Sequence, residues 1–105
     1  MLIQEIEERL NKEIGILVYF SGESCSVCHV LRPKIQKLFD EKFPKIKQIF
    51  LDAKENAQIA SHFGVFSVPT LIVFLEGKEF VREGRSLSLY QLEEKIMRPY
   101  EMMTS

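Results

Sequence analysis

Two short, almost wholly apolar runs, "GILVYF" at residues 15–20 and "TLIVFL" at residues 70–75, limit most strongly what this chain can fold into. Each is too short for a buried helix, and each is rich in the β-branched and aromatic residues that suit extended backbone. A strand that is apolar at every position, rather than at every second one, must be covered on both faces. The chain therefore needs a sheet enclosed between two layers, and the segments between the runs carry helical patterns that can supply them.

Leu2, Ile3, Ile6 and Leu10 recur at helical spacing with Glu and Arg between them, so the chain opens with an amphipathic helix. After the first run, Ser21-Gly22-Glu23 reads as a turn. A second helix follows, with Val27, Leu31, Ile35, Leu38 and Phe39 on one side and Lys34 and Lys37 on another. Pro33 lies inside that pattern and predicts a bend, because proline removes a backbone donor and crowds the preceding turn. Pro44 ends the segment. "IKQIFLD", residues 46–52, reads as the next strand.

Asp52 and Glu55 have capping-box spacing, which predicts a helix through Ala57, Ile59, Ala60 and Phe63 that stops near Gly64. Glu76-Gly77 predicts a hairpin turn into a returning edge strand over Glu79–Arg82. Ser88 and Gln91 form a second capping-box pattern, opening a final helix with Leu89, Leu92 and Ile96 inward that ends before Pro99. The stripes containing Phe39, Phe43, Phe63, Phe74 and Phe80 are assigned to the core. Strands joined through helices imply parallel pairing, and the hairpin implies an antiparallel pair. The expected α/β product is one domain over residues 1–105: a mixed four-stranded sheet with helices on both faces.

At 105 residues the chain can bury a single core without staples. A formal charge of −1 gives no reason to expect nucleic acid or an acidic membrane as partner. The opening "MLIQEIEERLNKE" has neither a basic region nor a long apolar run, which argues against a secretory signal. No apolar run reaches the ~20 residues of a membrane span. The expectation is a cytoplasmic monomer. Two cysteines are too few for a disulfide framework, so they are not there to staple the fold.

Both cysteines fall in "SGESCSVCHV", residues 21–30, with His29 directly behind the second. The spacing admits a redox pair, half of a metal site, a haem attachment site or coincidence. Cys25 falls where the first strand hands over to the second helix. There the free N–H groups and the helix dipole favour a thiolate over a thiol. Cys28, one turn on, is close enough for an unstrained disulfide. The first sulfur can attack a substrate disulfide and the second can resolve the mixed disulfide that results.

The rival readings are weaker. "CSVCH" satisfies the haem attachment pattern, but that reading needs an axial ligand such as Met102 or Met103 and a haem-sized pocket. Zinc would have Cys25, Cys28 and His29 and lack a fourth ligand, His62 being on another helix. His62 is expected to end its helix favourably by the dipole rather than to bind anything. No metal is expected.

Four features together resemble the thioredoxin family, over nearly the whole chain. "CSVC" follows the strand "GILVYF", Pro33 follows Cys28 within the helix, "SVPT" precedes a buried strand, and Gly84 follows the hairpin. The resemblance implies a thioredoxin-like fold and a thiol–disulfide oxidoreductase that exchanges a Cys25–Cys28 pair with thiols and disulfides of partner proteins. Cys25 would be the nucleophile and Cys28 the resolving thiol. Pro69 would be cis and opposite the cysteines, with Val68 and Thr70 completing a substrate-facing loop, Gly84 an adjacent rim, and Ser24 a neighbouring contact. No cofactor is implied, and the electrons would come from a reductase or from glutathione.

The chain also departs from the family. Its Trp-Cys-Gly-Pro-Cys is similar to, but not the same as, Ser24-Cys25-Ser26-Val27-Cys28 here, and the chain has no Trp. The buried Asp thought to accept the resolving thiol's proton aligns with Tyr19, and its Lys partner with Gln48. Neither replacement offers a base near neutral pH. Without Gly-Pro between the cysteines, the strongly reducing potential of thioredoxin itself, about −270 mV, is not assumed. His29, four residues beyond Cys25, is a candidate pKa modulator of that thiol, weighed against the favoured reading of an exposed residue with no role. A reading from another class is an adaptor module with little redox turnover, which the missing Asp and Trp favour and the intact Cys25, Cys28 and Pro69 oppose.

Overall fold

The computed structural model describes residues 1–105. Its elements are α1 (Ile3–Lys12), β1 (Gly15–Ser21), α2 (Ser26–Lys42), β2 (Ile46–Asp52), α3 (Ala57–His62), β3 (Thr70–Leu75), β4 (Lys78–Glu83) and α4 (Leu89–Thr104). The four strands form one sheet in the order β2-β1-β3-β4. β1 runs parallel to β2, with Tyr19 opposite Phe50, and antiparallel to β3, which pairs antiparallel with β4. The sheet is mixed and four-stranded as the sequence predicts, but the rule of parallel pairing across helices holds only for β1 and β2: β3, although it follows α3, runs antiparallel to β1.

The two apolar runs occupy the sheet's centre, and the alternation of side chains explains their composition. Leu17 and Tyr19 of β1 face the core under α2 and α4, whereas Ile16, Val18 and Phe20 face the one under α1 and α3. β3 divides in the same way, with Leu71, Val73 and Leu75 on one side and Ile72 and Phe74 on the other. Edge strand β4 buries only Val81. Phe80, expected in the core, is 45% exposed, because Val81 takes the inward position and the two-residue period turns Phe80 outward. Leu2 likewise lies outside its helix's buried stripe and is exposed.

Two further expectations are corrected at helix ends. Asp52 does act as a cap, its Oδ1 accepting the N–H groups of Lys54 and Glu55 at 2.9 and 3.0 Å, but what it caps is a turn. Residue 53 is still tied to the sheet through its N–H to the Ser21 carbonyl, so α3 starts only at Ala57, after Asn56. It stops at His62, near Gly64 as predicted, and the Gly64 φ of 68° lets the Val65 N–H return to the Ala60 carbonyl at 2.8 Å.

The last helix does not end before Pro99. It continues to Thr104 with Pro99 inside it. An interior proline costs about 3 kcal/mol. Against that cost, the next residue buries its ring edge-on against Phe43, centroids 5.1 Å apart, and the Tyr100 hydroxyl accepts the Lys45 N–H at 3.0 Å. A buried aromatic ring and a satisfied amide together recover about as much. Pro33 is tolerated too, on the exposed side of an unbroken α2.

Candidate active site

β1 ends at Ser21, and the chain turns back at Gly22 so that the Cys25 N–H meets the Gly22 carbonyl at 3.1 Å. Cys25 is thereby the N-cap of α2, and its Sγ accepts the Cys28 N–H at 3.2 Å. A sulfur in the N-cap position faces unpaired amides and the positive end of the helix dipole, both of which stabilise negative charge. Cys25 and Cys28 are joined as a disulfide, their Cα atoms 5.3 Å apart. Cys25 is partly exposed and Cys28 is wholly buried. A partner can reach only the outer sulfur.

Beneath the disulfide, the fully buried Tyr19 donates its hydroxyl to the Cys28 carbonyl at 3.0 Å. Burial pushes the phenol above its ordinary range, while the nearby Arg32 charge pulls the other way. The group is therefore a neutral donor near neutral pH. The Arg32 guanidinium lies 4.4 Å above the Phe50 ring, which meets Tyr19 edge-on at 5.9 Å. Gln48 offers no charge here either. Its Nε2 donates to Asp40 at 2.7 Å, and its buried Oε1 has no partner.

The loop before β3 holds a cis Val68–Pro69 peptide bond, with Pro69 buried and Val68 half-buried. Gly22 links this loop to the cysteines. A Cβ placed on it would lie 3.3 Å from Val68 Cγ2 and 3.7 Å from Cys25 Cβ. Gly84 borders the same loop, where an added Cβ would lie 3.8 Å from the Pro69 carbonyl oxygen. Ser24 is exposed in the turn before Cys25. Thr70, by contrast, points inward and donates to the Ser67 carbonyl at 2.7 Å, which holds the loop rather than facing outward.

The histidines do not behave as the spacing suggests. His29 Nε2 donates to the Glu23 carbonyl at 3.0 Å, so the ring braces the turn, and the bond to Cys25 Sγ comes from a backbone amide instead. His62, expected only to end α3, also pairs with Glu7 of α1 at 2.9 Å. No three His, Cys, Asp or Glu side chains cluster as a metal site, and no helix is long and apolar enough to cross a membrane.

Two features escape the sequence pattern. The Tyr19–Cys28 bond joins residues on different elements, and no spacing rule anticipates it. Phe66, in "GVFSVPT", reads like core yet is 88% exposed on the loop that leads to Pro69.

Known proteins resemble this chain in sequence and fold. The family model for thioredoxin matches residues 3–98. The chain is 37% identical over 97 residues to the thioredoxin-like protein YdfQ of Bacillus subtilis, covering 92% of this chain and 86% of that one. It is 34% identical over 73 residues to a thioredoxin of Rickettsia bellii, covering 70% of each. Among solved structures, thioredoxin 1 of Thermosipho africanus superposes with a TM-score of 0.76 at 30% identity, covering 86% of this chain and 99% of that one. A thioredoxin variant of Halobacterium salinarum gives 0.79 at 23% identity, covering 95% and 86%, a likeness of fold alone.

Proposed function

This chain belongs to the thioredoxin family, and from that premise we propose that Cys25 is the attacking sulfur and Cys28 the resolving one. The reaction class itself is thiol–disulfide exchange with protein disulfides. In the reduced enzyme the Cys25 thiolate attacks one sulfur of a partner disulfide. A Cys25–partner bond forms, the partner's S–S bond breaks, and one partner thiolate leaves. Cys28 then loses its proton and attacks Cys25. The Cys25–Cys28 bond closes, the second partner thiolate leaves, and two electrons have passed from the enzyme dithiol to the partner.

The observation that carries this assignment is the asymmetry of the pair. Cys25 is partly exposed at a helix N-cap and accepts an amide hydrogen, whereas Cys28 is buried one turn deeper. The proton of Cys28 passes to water or to the departing thiolate, because Tyr19 is itself a proton donor. Ser24, Val68, Pro69 and Gly84 frame the approach to Cys25 and are the substrate-facing residues in this reading, with Thr70 bracing the loop from within. Electrons enter from a thioredoxin reductase or from glutathione, and the working compartment is the cytoplasm, where thiols are kept reduced.

Reduction of insulin coupled to a thioredoxin reductase, and in parallel to glutathione, tests the assignment. Cys28→Ser should accumulate a mixed disulfide through Cys25, and Cys25→Ser should form none. A wild-type protein that turns over with neither donor would leave only the adaptor reading.

A further inference from the structure

Two apolar grooves are lined by residues next to the site, one by Val68 of the cis-proline loop and the other by Ser26 and Val27 between the cysteines. The first, about 360 Å³, is floored by Ala57 and Ala60 and walled by Val68 and Phe66. The second, about 250 Å³, is lined by Val27, Val30 and Leu31, immediately beyond Cys25 along α2. They meet the site at both ends. Val68 belongs to the loop against Gly22 and Cys25, and Val27 lies between the two cysteines. Phe66 and Val30, one in each groove, are exposed large apolar side chains, 88% and 57%.

The charges follow the same arrangement. Each groove has one charged lining residue, and both are cations: Lys54 in the first and Arg85 in the second. Neither takes part in an ion pair, whereas Arg82 and Lys95 are engaged by Glu79 and Glu83. Arg85 directly follows Gly84, where an added Cβ would lie 3.8 Å from the Pro69 carbonyl oxygen, so the second cation is next in sequence to the residue that borders the cis-proline loop. The groove beside the cis-proline loop therefore carries an exposed aromatic residue and an unpaired cation, and the groove along α2 a second unpaired cation.

The geometry points to a specificity surface: Phe66 takes an apolar side chain adjoining the target cysteine, and Lys54 and Arg85 select acidic residues on either side of it. The occupant is an extended, acidic-flanked segment of a protein disulfide substrate. An aromatic wall beside an alanine-floored groove gives such a side chain contact area with little loss of rotamer freedom. Unpaired cations at the rim discriminate by sign and raise the encounter rate for acidic partners. This inference rests on the oxidoreductase reading and names the substrate class of that same site.

The test uses short peptides with one cysteine held as a mixed disulfide with thionitrobenzoate. Reduced enzyme attacks the peptide sulfur through Cys25 and expels coloured thionitrobenzoate, and Cys28 then releases the peptide thiol as the enzyme disulfide closes. Three peptides are compared: Leu beside the cysteine with Glu flanks, the same with Lys flanks, and Gly in place of Leu with Glu flanks. Rates are read as ratios within each variant, so a general change in thiol reactivity cancels.

The wild type should prefer Glu flanks over Lys flanks by about tenfold at low salt, and the preference should shrink at high ionic strength. Phe66→Ala should reduce the Leu-over-Gly ratio by about fivefold and leave the charge preference in place. Lys54→Glu with Arg85→Glu should invert the charge preference and keep the Leu-over-Gly ratio. Equal rates on all three wild-type reactions, or an unchanged Leu-over-Gly ratio in Phe66→Ala, overturn the specificity surface while leaving the redox assignment standing. A wild type that releases no thionitrobenzoate from any peptide or from the parent small disulfide overturns both.

Discussion

The Tyr19 hydroxyl of the central strand is bonded to the Cys28 carbonyl of the active-site helix at 3.0 Å, inside the core. The bond ties the first turn of α2 to the sheet through a group that is neutral near pH 7. The position serves as a support, not as a base.

Tyr19→Phe should therefore lower stability by about 1 kcal/mol, the net value of one buried hydrogen bond. Resolution of a mixed disulfide between pH 6 and 9 should keep its rate and its pH profile. Denaturant melts and stopped-flow thiol release measure the two. A resolution step slowed tenfold would mean that the phenol moves a proton.

The same residue predicts an alkaline weakness. Burial raises the phenol's pKa in the folded state above the unfolded value of about 10. Between those two values the folded state holds a proton that the unfolded state has released, so stability falls as pH rises. The contribution is fully present below about pH 10 and is lost as pH climbs through the folded pKa. Thermal melts from pH 8 to 11 should fall less steeply for Tyr19→Phe than for the wild type.

His29 contacts the Glu23 carbonyl, and Cys25 Sγ takes its hydrogen bond from the Cys28 amide. His29→Ala should thus move the Cys25 thiolate titration by less than about 0.3 unit, the size of an exposed i,i+4 effect. The ultraviolet absorbance of the thiolate reports it. A shift of a full unit would return His29 to the role its spacing suggests.

Tyr100 carries the last helix across Pro99. Tyr100→Ala should cost about 3–5 kcal/mol, as for other large core truncations. It should also unlock amide exchange over residues 100–104, since only tertiary contacts offset the proline there. Tyr100→Phe should retain the packing and lose about 1 kcal/mol for the Lys45 amide it leaves without a partner.

Much of this protein is written locally in its chain. The runs at 15–20 and 70–75 have no face to show to water, so they dictate central strands and layers on both sides. Glu76 and Gly77 both take positive φ, 52° and 81°, which suits the tight hairpin read from their pair. Cys25 at the start of a helix, with Cys28 one turn on, is likewise a matter of near neighbours and bonds of short range. Propensity, periodicity and capping act within a few residues, and a sequence displays them directly.

Tertiary structure alone decided the rest. α4 passes Pro99 because Phe43 and Lys45, 55 residues from Tyr100 in the case of the hydrogen bond, make the next turn worth forming. Phe80 faces solvent because Val81 takes the inward position on the edge strand, and Phe66 stands exposed on the loop before β3, though each looks like core by composition. Tyr19 meets Cys28 through a direction that its side chain takes only once β1 and α2 have docked. Each outcome is a competition between a local preference and a distant contact of similar size, and the distant contact exists only after the chain has closed around its core.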